Sequence, residues 1–246
     1  MGVLRAGAAA AVLFALAGVA TSPLSEFVRG RFHSEGAAGI GEMRAGAPLF
    51  ALLGGYRSLI ADFVWIKAYI DWERKNYIDC LAALELATSL DPETITFWTQ
   101  GASIIAFDTP HWLIARSAEK IDAEMEKSIR RRQAKIALKF LDRGIAAFPD
   151  EARLWLTKGQ IYIIALSDYK GAQDCYAKIV DIYGNDAPVY ILRIYAALLA
   201  RNGHFGEAAD ALKRVLSQLE PDSPIKATVE RDIKRAEELQ KKASAD

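Results

Sequence analysis

The sequence predicts an all-α protein built from stacked helix-turn-helix repeats and preceded by one N-terminal transmembrane or signal helix. After Pro48 the apolar residues recur with the period of a helix, and no run alternates with period two. Turn sequences interrupt that pattern at Leu90-Asp91-Pro92, Phe148-Pro149-Asp150, Tyr183-Gly184-Asn185 and Glu220-Pro221-Asp222. Pro92, Pro149, Gly184 and Pro221 stand 57, 35 and 37 residues apart. The last two spacings are those of a stacked helix pair, which needs about 34 residues. The first exceeds that length by 23 residues, which matches a charged stretch over residues 107–130 and reads as an insertion between the two helices of one repeat.

The N-terminus carries the targeting signal. Residues 1–5 form a short basic start, followed by an uncharged run over residues 6–20 with Val12, Leu13, Phe14 and Leu16. A span needs about 20 residues, which Thr21, Ser22 and Leu24 would supply, so residues 1–24 read as an uncleaved anchor. The small residues Gly18, Val19 and Ala20 equally suit a cleavage site, which would make the segment a signal peptide and the remainder soluble and exported. Arg29 and Arg31 beyond it balance Arg5 before it, so loop charge does not fix the orientation; the short leading tail places the body outside the cytoplasm. Residues 25–48, rich in glycine and alanine without a sustained period, read as a linker. The repeat domain is expected over residues 49–222. Residues 223–246 then form a capping helix and tail, with a Ser223-Pro224 start and one apolar stripe of Ile225, Val229, Ile233, Ala236 and Leu239.

Several functions are excluded or disfavoured by what the chain holds. With 31 basic and 31 acidic residues the formal charge is zero, so no nucleic-acid partner is expected. Arg130, Arg131 and Arg132 follow Glu119, Asp122, Glu124 and Glu126, which makes them a solvated, salt-bridged face rather than a phosphate site. Cys80 and Cys175 each fall in an apolar helical pattern, as buried small side chains do. His33, His111 and His204 are far apart, without the spacing of metal ligands, so no metal or cofactor is expected. Gly39 and Gly41 begin like a dinucleotide fingerprint, but Arg44 replaces its third glycine and no strand precedes it.

Within the repeat domain specific residues return in phase. Residues 61–94 have Ala68 at position eight, Cys80 at twenty, Leu84 at twenty-four, Ala87 at twenty-seven and Pro92 at the close, without a glycine at the turn. Residues 95–151 have Trp98, Ala102 and Ile105, then Ala137, Leu141, Gly144 and Pro149 beyond the insertion. Residues 152–187 carry Trp155, Gly159, Tyr162, Ala172 and Tyr176, with one extra residue at the turn. Residues 189–222 carry Ala196, Leu199, Gly203, Phe205, Ala208 and Leu212. In this pattern of bulky and small positions the chain resembles the tetratricopeptide repeat family. The resemblance implies a right-handed α-solenoid whose first helices line a concave groove. By the family's groove positions, the lining would be Asp62, Trp65, Tyr69, Trp72 and Glu73 in the first unit and Thr99 and Ser103 in the second. Arg153, Leu156, Gln160 and Ile163 would follow in the third, then Tyr190, Arg193 and Arg201 in the fourth. Leu156 and Gln160 replace the lysine and asparagine by which some members clamp a C-terminal carboxylate.

Trp65, Tyr69 and Trp72 form a helical stripe, which serves either as an aromatic floor for a peptide or as packing against the chain before it. The expected function is a non-catalytic protein-interaction scaffold of the bacterial cell envelope. It would bind a peptide or partner helix in the groove and reach a membrane through its N-terminal helix. An assembly factor for a secretion, pilus or cytochrome system has the same features. An enzyme would place its site in the insertion, around Asp108, His111 and Glu119, and an amphipathic inserted helix with Trp112, Leu113, Ile114, Ile121 and Met125 would lie on a bilayer.

Overall fold

The computed structural model describes residues 56–117 and 121–244, all in helices and their connections, with no strand among them. The expected anchor, the linker, residues 49–55, Glu119 and the last two residues lie outside the described residues. Among the described residues no helix is long and apolar enough to cross a membrane. The chain divides into two compact units, one ending at Phe97 and one beginning at Trp98.

In the first unit, α1 (Arg57–Glu73) and α2 (Tyr77–Leu90) fold back on each other across a three-residue turn. Ala61, Val64 and Ala68 of α1 and Cys80, Leu84 and Ala87 of α2 are buried. The repeat phase had assigned small residues to Ala68, Cys80 and Ala87. The turn lacks glycine, yet Lys75 takes a left-handed φ of 55°. It does so because Asn76 N–H donates to the Asp71 carbonyl at 2.8 Å and Lys75 N–H to the Trp72 carbonyl at 2.9 Å, a hydrogen-bonded helix end that needs this backbone.

The second unit begins within α3 (Ile95–Ser103), which runs through a π-helical turn, Ile104–Asp108, into α4 (Thr109–Ala115). Then come α5 (Ala123–Ala147), α6 (Ala152–Ile161) with a second π turn, Tyr162–Leu166, and α7 (Tyr169–Tyr183). Helices α8 (Val189–Arg201), α9 (Phe205–Gln218) and α10 (Lys226–Ala243) complete it. Each packs on its neighbour in the sequence, and one core that includes Tyr176, Ile179, Leu192, Leu199, Val215, Val229 and Ile233 runs through α7 to α10.

Two glycines show why small residues recur in phase. A Cβ on Gly144 would stand 2.9 Å from the Trp98 ring, and one on Gly159 would stand 2.9 Å from the Tyr176 ring. Trp98 and Tyr176 are themselves buried, so neither ring has room to retreat. Burial also pushes the Cys175 thiol up to about 12, so it stays protonated near neutral pH.

The extra residues over 107–130 do not form a separate inserted helix. Residues 107–115 continue the helix begun at Ile95, and residues 123–130 are the first turns of the 25-residue α5. Asp122 caps α5, accepting from Met125 N–H at 2.7 Å, with Glu124 and Glu126 favourably placed in its first turn. Trp112 is buried on α4 whereas Met125 is exposed on α5, so no single amphipathic helix carries that apolar set. Arg130 pairs with Glu126, and Arg131 and Arg132 are exposed. The last helix starts at Lys226 rather than at Ser223-Pro224; Ser223 instead accepts from Lys226 N–H through its carbonyl at 3.1 Å.

Two expectations follow. Gly159→Ala forces a methyl into the Tyr176 ring, and overpacking outweighs the gain in helix propensity; unfolding in urea should show a net loss of about 1–2 kcal/mol. Lys75→Gly relieves a left-handed side chain at an exposed turn, and the same measurement should show a gain of about 0.5–1 kcal/mol.

Candidate functional site

In the first unit the aromatic residues of α1 form a ladder along one side of the helix. Trp65 stacks on Phe97 with centroids 4.7 Å apart and planes at 20°. Tyr69 meets Trp65 edge-on at 6.0 Å, and Trp72 lies tilted on Tyr69 at 6.0 Å. Trp65 and Trp72 are half-buried by these contacts, and Tyr69 is 43% exposed. Trp65 is therefore a packing residue first, and Tyr69 is what the ladder shows to solvent. Asp62 is exposed beside it.

In the second unit the expected groove residues divide. Thr99 and Ser103 are half-buried on α3, where the Ser103 hydroxyl donates to the Thr99 carbonyl at 2.9 Å. Arg153 is exposed at the start of α6 and held by Glu151 at 2.8 and 3.1 Å, which lowers the Glu151 pKa through the Arg153 hydrogen bond. Gln160 is exposed on the same helix. None of these four is among the residues that line the cleft formed further along this unit. Tyr190 and Arg193 are, together with Ile163 and Arg201.

That cleft is open, with a volume of about 820 Å³, and lies among α7, α8, α9 and α10. Its floor is apolar, from Ile194, Leu198, Phe205 and Leu212. Three guanidinium groups stand around it: Arg193 and Arg201 from α8, and Arg235 from α10, with Asp232 as the acidic member. Asp232 has Arg231 at 3.8 Å. Arg201 lies over the Tyr169 ring, 3.7 Å from its centroid, a cation–π contact that fixes its direction. Arg193 and Arg235 form no ion pair within the described residues. Tyr190, 54% exposed, stands at the edge with its ring available.

The site is held in shape by contacts that recur at close to one repeat length. Asn202, at the end of α8, donates from its side chain to the Tyr169 carbonyl at 3.0 Å and to Gln173 Oε1 at 2.7 Å. Gly206 N–H donates to Gln240 Oε1 at 3.0 Å, joining α9 to α10. Arg214 donates to the Gly184 carbonyl at 2.6 Å, and Gln218 to the Ala187 carbonyl at 3.2 Å. Lys158 bridges to Asp142 at 2.7 Å; burial opposes its charge, but the hydrogen bond to Asp142 and the attraction of nearby negative charge together outweigh it and its pKa is raised.

The phase of the sequence pattern names Tyr190, Arg193, Ile163 and Arg201 among the residues that line this cleft and does not name Arg235 or Asp232. The available signal was the stripe of α10, because Ala236 and Leu239 of that stripe also line the cleft. A residue next to Ala236 on a helix packed against α9 is placed at its mouth. Of the residues once grouped as an alternative active site, Asp108 is half-buried and His111 exposed, and Glu119 lies outside the described residues. Among the described residues no group of three His, Cys, Asp or Glu side chains could hold a metal ion. Asn202→Ala leaves the first turn of α7 without two hydrogen bonds; denaturant unfolding should show a loss of about 1–2 kcal/mol, with faster amide exchange near Tyr169.

No protein-family model matches this chain, and no curated protein matches its sequence.

Proposed function

We propose that this chain is a non-catalytic interaction scaffold of the bacterial cell envelope, a repeat solenoid of the tetratricopeptide type tethered or exported through residues 1–24. Its ligand is an amphipathic peptide or partner helix that lays apolar side chains on Ile194, Leu198 and Phe205 and meets Arg193 and Arg235 with carboxylates. The observation that carries the reading is the pairing of an apolar floor with two guanidinium groups that have no carboxylate partner within the described residues. An arginine fork favours a carboxylate it can contact through two N–H groups, and the apolar floor supplies the remaining affinity. The repeat phase of the sequence supports the same reading, since it alone selects Tyr190 and Arg193.

The N-terminal segment supplies the location, and the chain's balanced charge leaves partner choice to local surfaces such as this cleft. No reaction is required of any residue in it. Charge reversal separates the cleft from the aromatic ladder. Affinity capture with the intact chain should recover a partner that the Arg193→Glu, Arg235→Glu double variant loses and the Trp65→Ala variant retains. A partner set unchanged by the double variant would remove the cleft from the mechanism.

A further inference from the structure

The cleft of the second unit sets its arginines at a definite spacing. Arg193, Ala197 and Arg201 follow at intervals of four along α8, and all three are exposed and line the cleft. Eight residues of helix rise by about 12 Å, so the two arginines flank an alanine whose methyl group leaves the middle of the stripe bare. Ile194 and Leu198 lie beside that alanine and make its surround apolar. Arg235 adds a third guanidinium from α10, whereas the carboxylate of the lining, Asp232, stands 3.8 Å from Arg231.

Of these groups Arg201 is the one held in advance. It lies over the Tyr169 ring, 3.7 Å from the centroid, and its neighbour Asn202 donates to the Tyr169 carbonyl at 3.0 Å, so ring and guanidinium come from two helix ends tied together. A guanidinium over a ring keeps N–H groups for an acceptor, and fixing it beforehand lowers the entropy lost when an anion arrives. The lining then selects the form of the ligand. An extended peptide brings backbone N–H groups that need acceptors, and among the described lining residues only Asp232 and the hydroxyls of Tyr169 and Tyr190 have side chains that accept. A helix satisfies its own backbone and asks only for side-chain contacts.

We infer that the occupant of the cleft is a partner helix with two carboxylates about two turns apart on one face and an apolar side chain midway between them. One carboxylate meets Arg193, the other meets Arg201, and the apolar side chain rests on Ala197. Arg235 adds to the positive field from α10. Residues seven apart in a helix return to nearly the same face about 10 Å along its axis, a separation that two flexible arginine side chains match. Tyr169 acts through Arg201, as a positioning residue. The inference rests on the proposed binding role of the cleft and adds to it the form and the charge spacing of the ligand.

Fluorescence anisotropy with the full-length chain and labelled alanine–leucine helical peptides tests this. The first peptide carries two glutamates two turns apart with a leucine midway; the second has the same composition with the glutamates one turn apart; the third has glutamine in place of both. The first should bind about tenfold more tightly than the second, which engages one α8 arginine at a time, and the third should bind weakest. Arg201→Gln should weaken the first peptide by about tenfold and the second by less than about twofold, with the helical circular dichroism signal kept. Tyr169→Leu should act like Arg201→Gln, and Tyr169→Phe, which keeps the ring, should restore binding. Proline at the midpoint of the first peptide should remove its advantage. Equal affinities for the first two peptides, no effect of Arg201→Gln or of Tyr169→Leu, or full binding by the proline peptide would overturn the inference while leaving the cleft a site for acidic peptides. No binding by any of them, or equal binding by the glutamine peptide, would overturn it together with the reading of the cleft on which it rests.

Discussion

Where the Trp98 ring lies on Gly144 and the Tyr176 ring on Gly159, two helices approach until a side chain touches a bare backbone, and the remaining packing of the second unit is arranged around those contacts. A helix pair has only one apolar face per helix to bury, so neighbours must come close enough for an aromatic ring to fill the space between them. The requirement fixes residue size at paired positions rather than residue identity. It also accounts for cysteine at Cys80 and Cys175, both buried where a small side chain is needed; at Cys175 burial raises the thiol pKa as well.

The helical hairpins were legible in the sequence for that reason: Ala68, Cys80, Ala87, Gly144 and Gly159 record the close approaches, and all are buried. The turns were legible only in part. Gly203 announces a left-handed backbone, with φ of 87°, whereas Lys75 and Ser167 adopt φ of 55° and 54° without any such announcement. Their conformation is imposed by the hydrogen bonds that close the helix end. His204 N–H reaches the Leu199 carbonyl at 2.9 Å in the same way that Asn76 reaches Asp71. The form of the long interval was not legible because an excess of charged residues marks only exposure. Exposed helix and exposed loop share that composition, so charge alone does not say that residues 107–115 and 123–130 are helical.

For the cleft, phase within a repeat places a residue on a face of its own helix and says nothing of which distant helix will close over it. Tyr190 and Arg193 could be named because they lie on one helix whose period is visible. Arg235 could not, since its position depends on how α10 settles on α9 through contacts such as Gly206 to Gln240 and Lys213 to Glu237 at 2.9 Å. Arg153 and Gln160 obey the same phase and are not among the residues that line the cleft.

The π turns at Ile104–Asp108 and Tyr162–Leu166 directly follow α3 and α6, each the first helix after a turn at Asp91-Pro92 or Pro149-Asp150. An additional residue in an ordinary helix would swing everything after it by about 100° and turn the apolar stripe away from its neighbour. Widening one turn takes up the residue locally: Asp168 N–H reaches back six residues to the Tyr162 carbonyl, where the other turns reach back five, and the closure is kept. At Ile104 the same widening is followed not by a turn but by further helix, with the Thr109 hydroxyl donating to the Ile104 carbonyl at 3.1 Å. A hairpin with such a slack point can lengthen over generations of descent without losing the orientation of its buried faces, so its outline can drift while its interior stays in register.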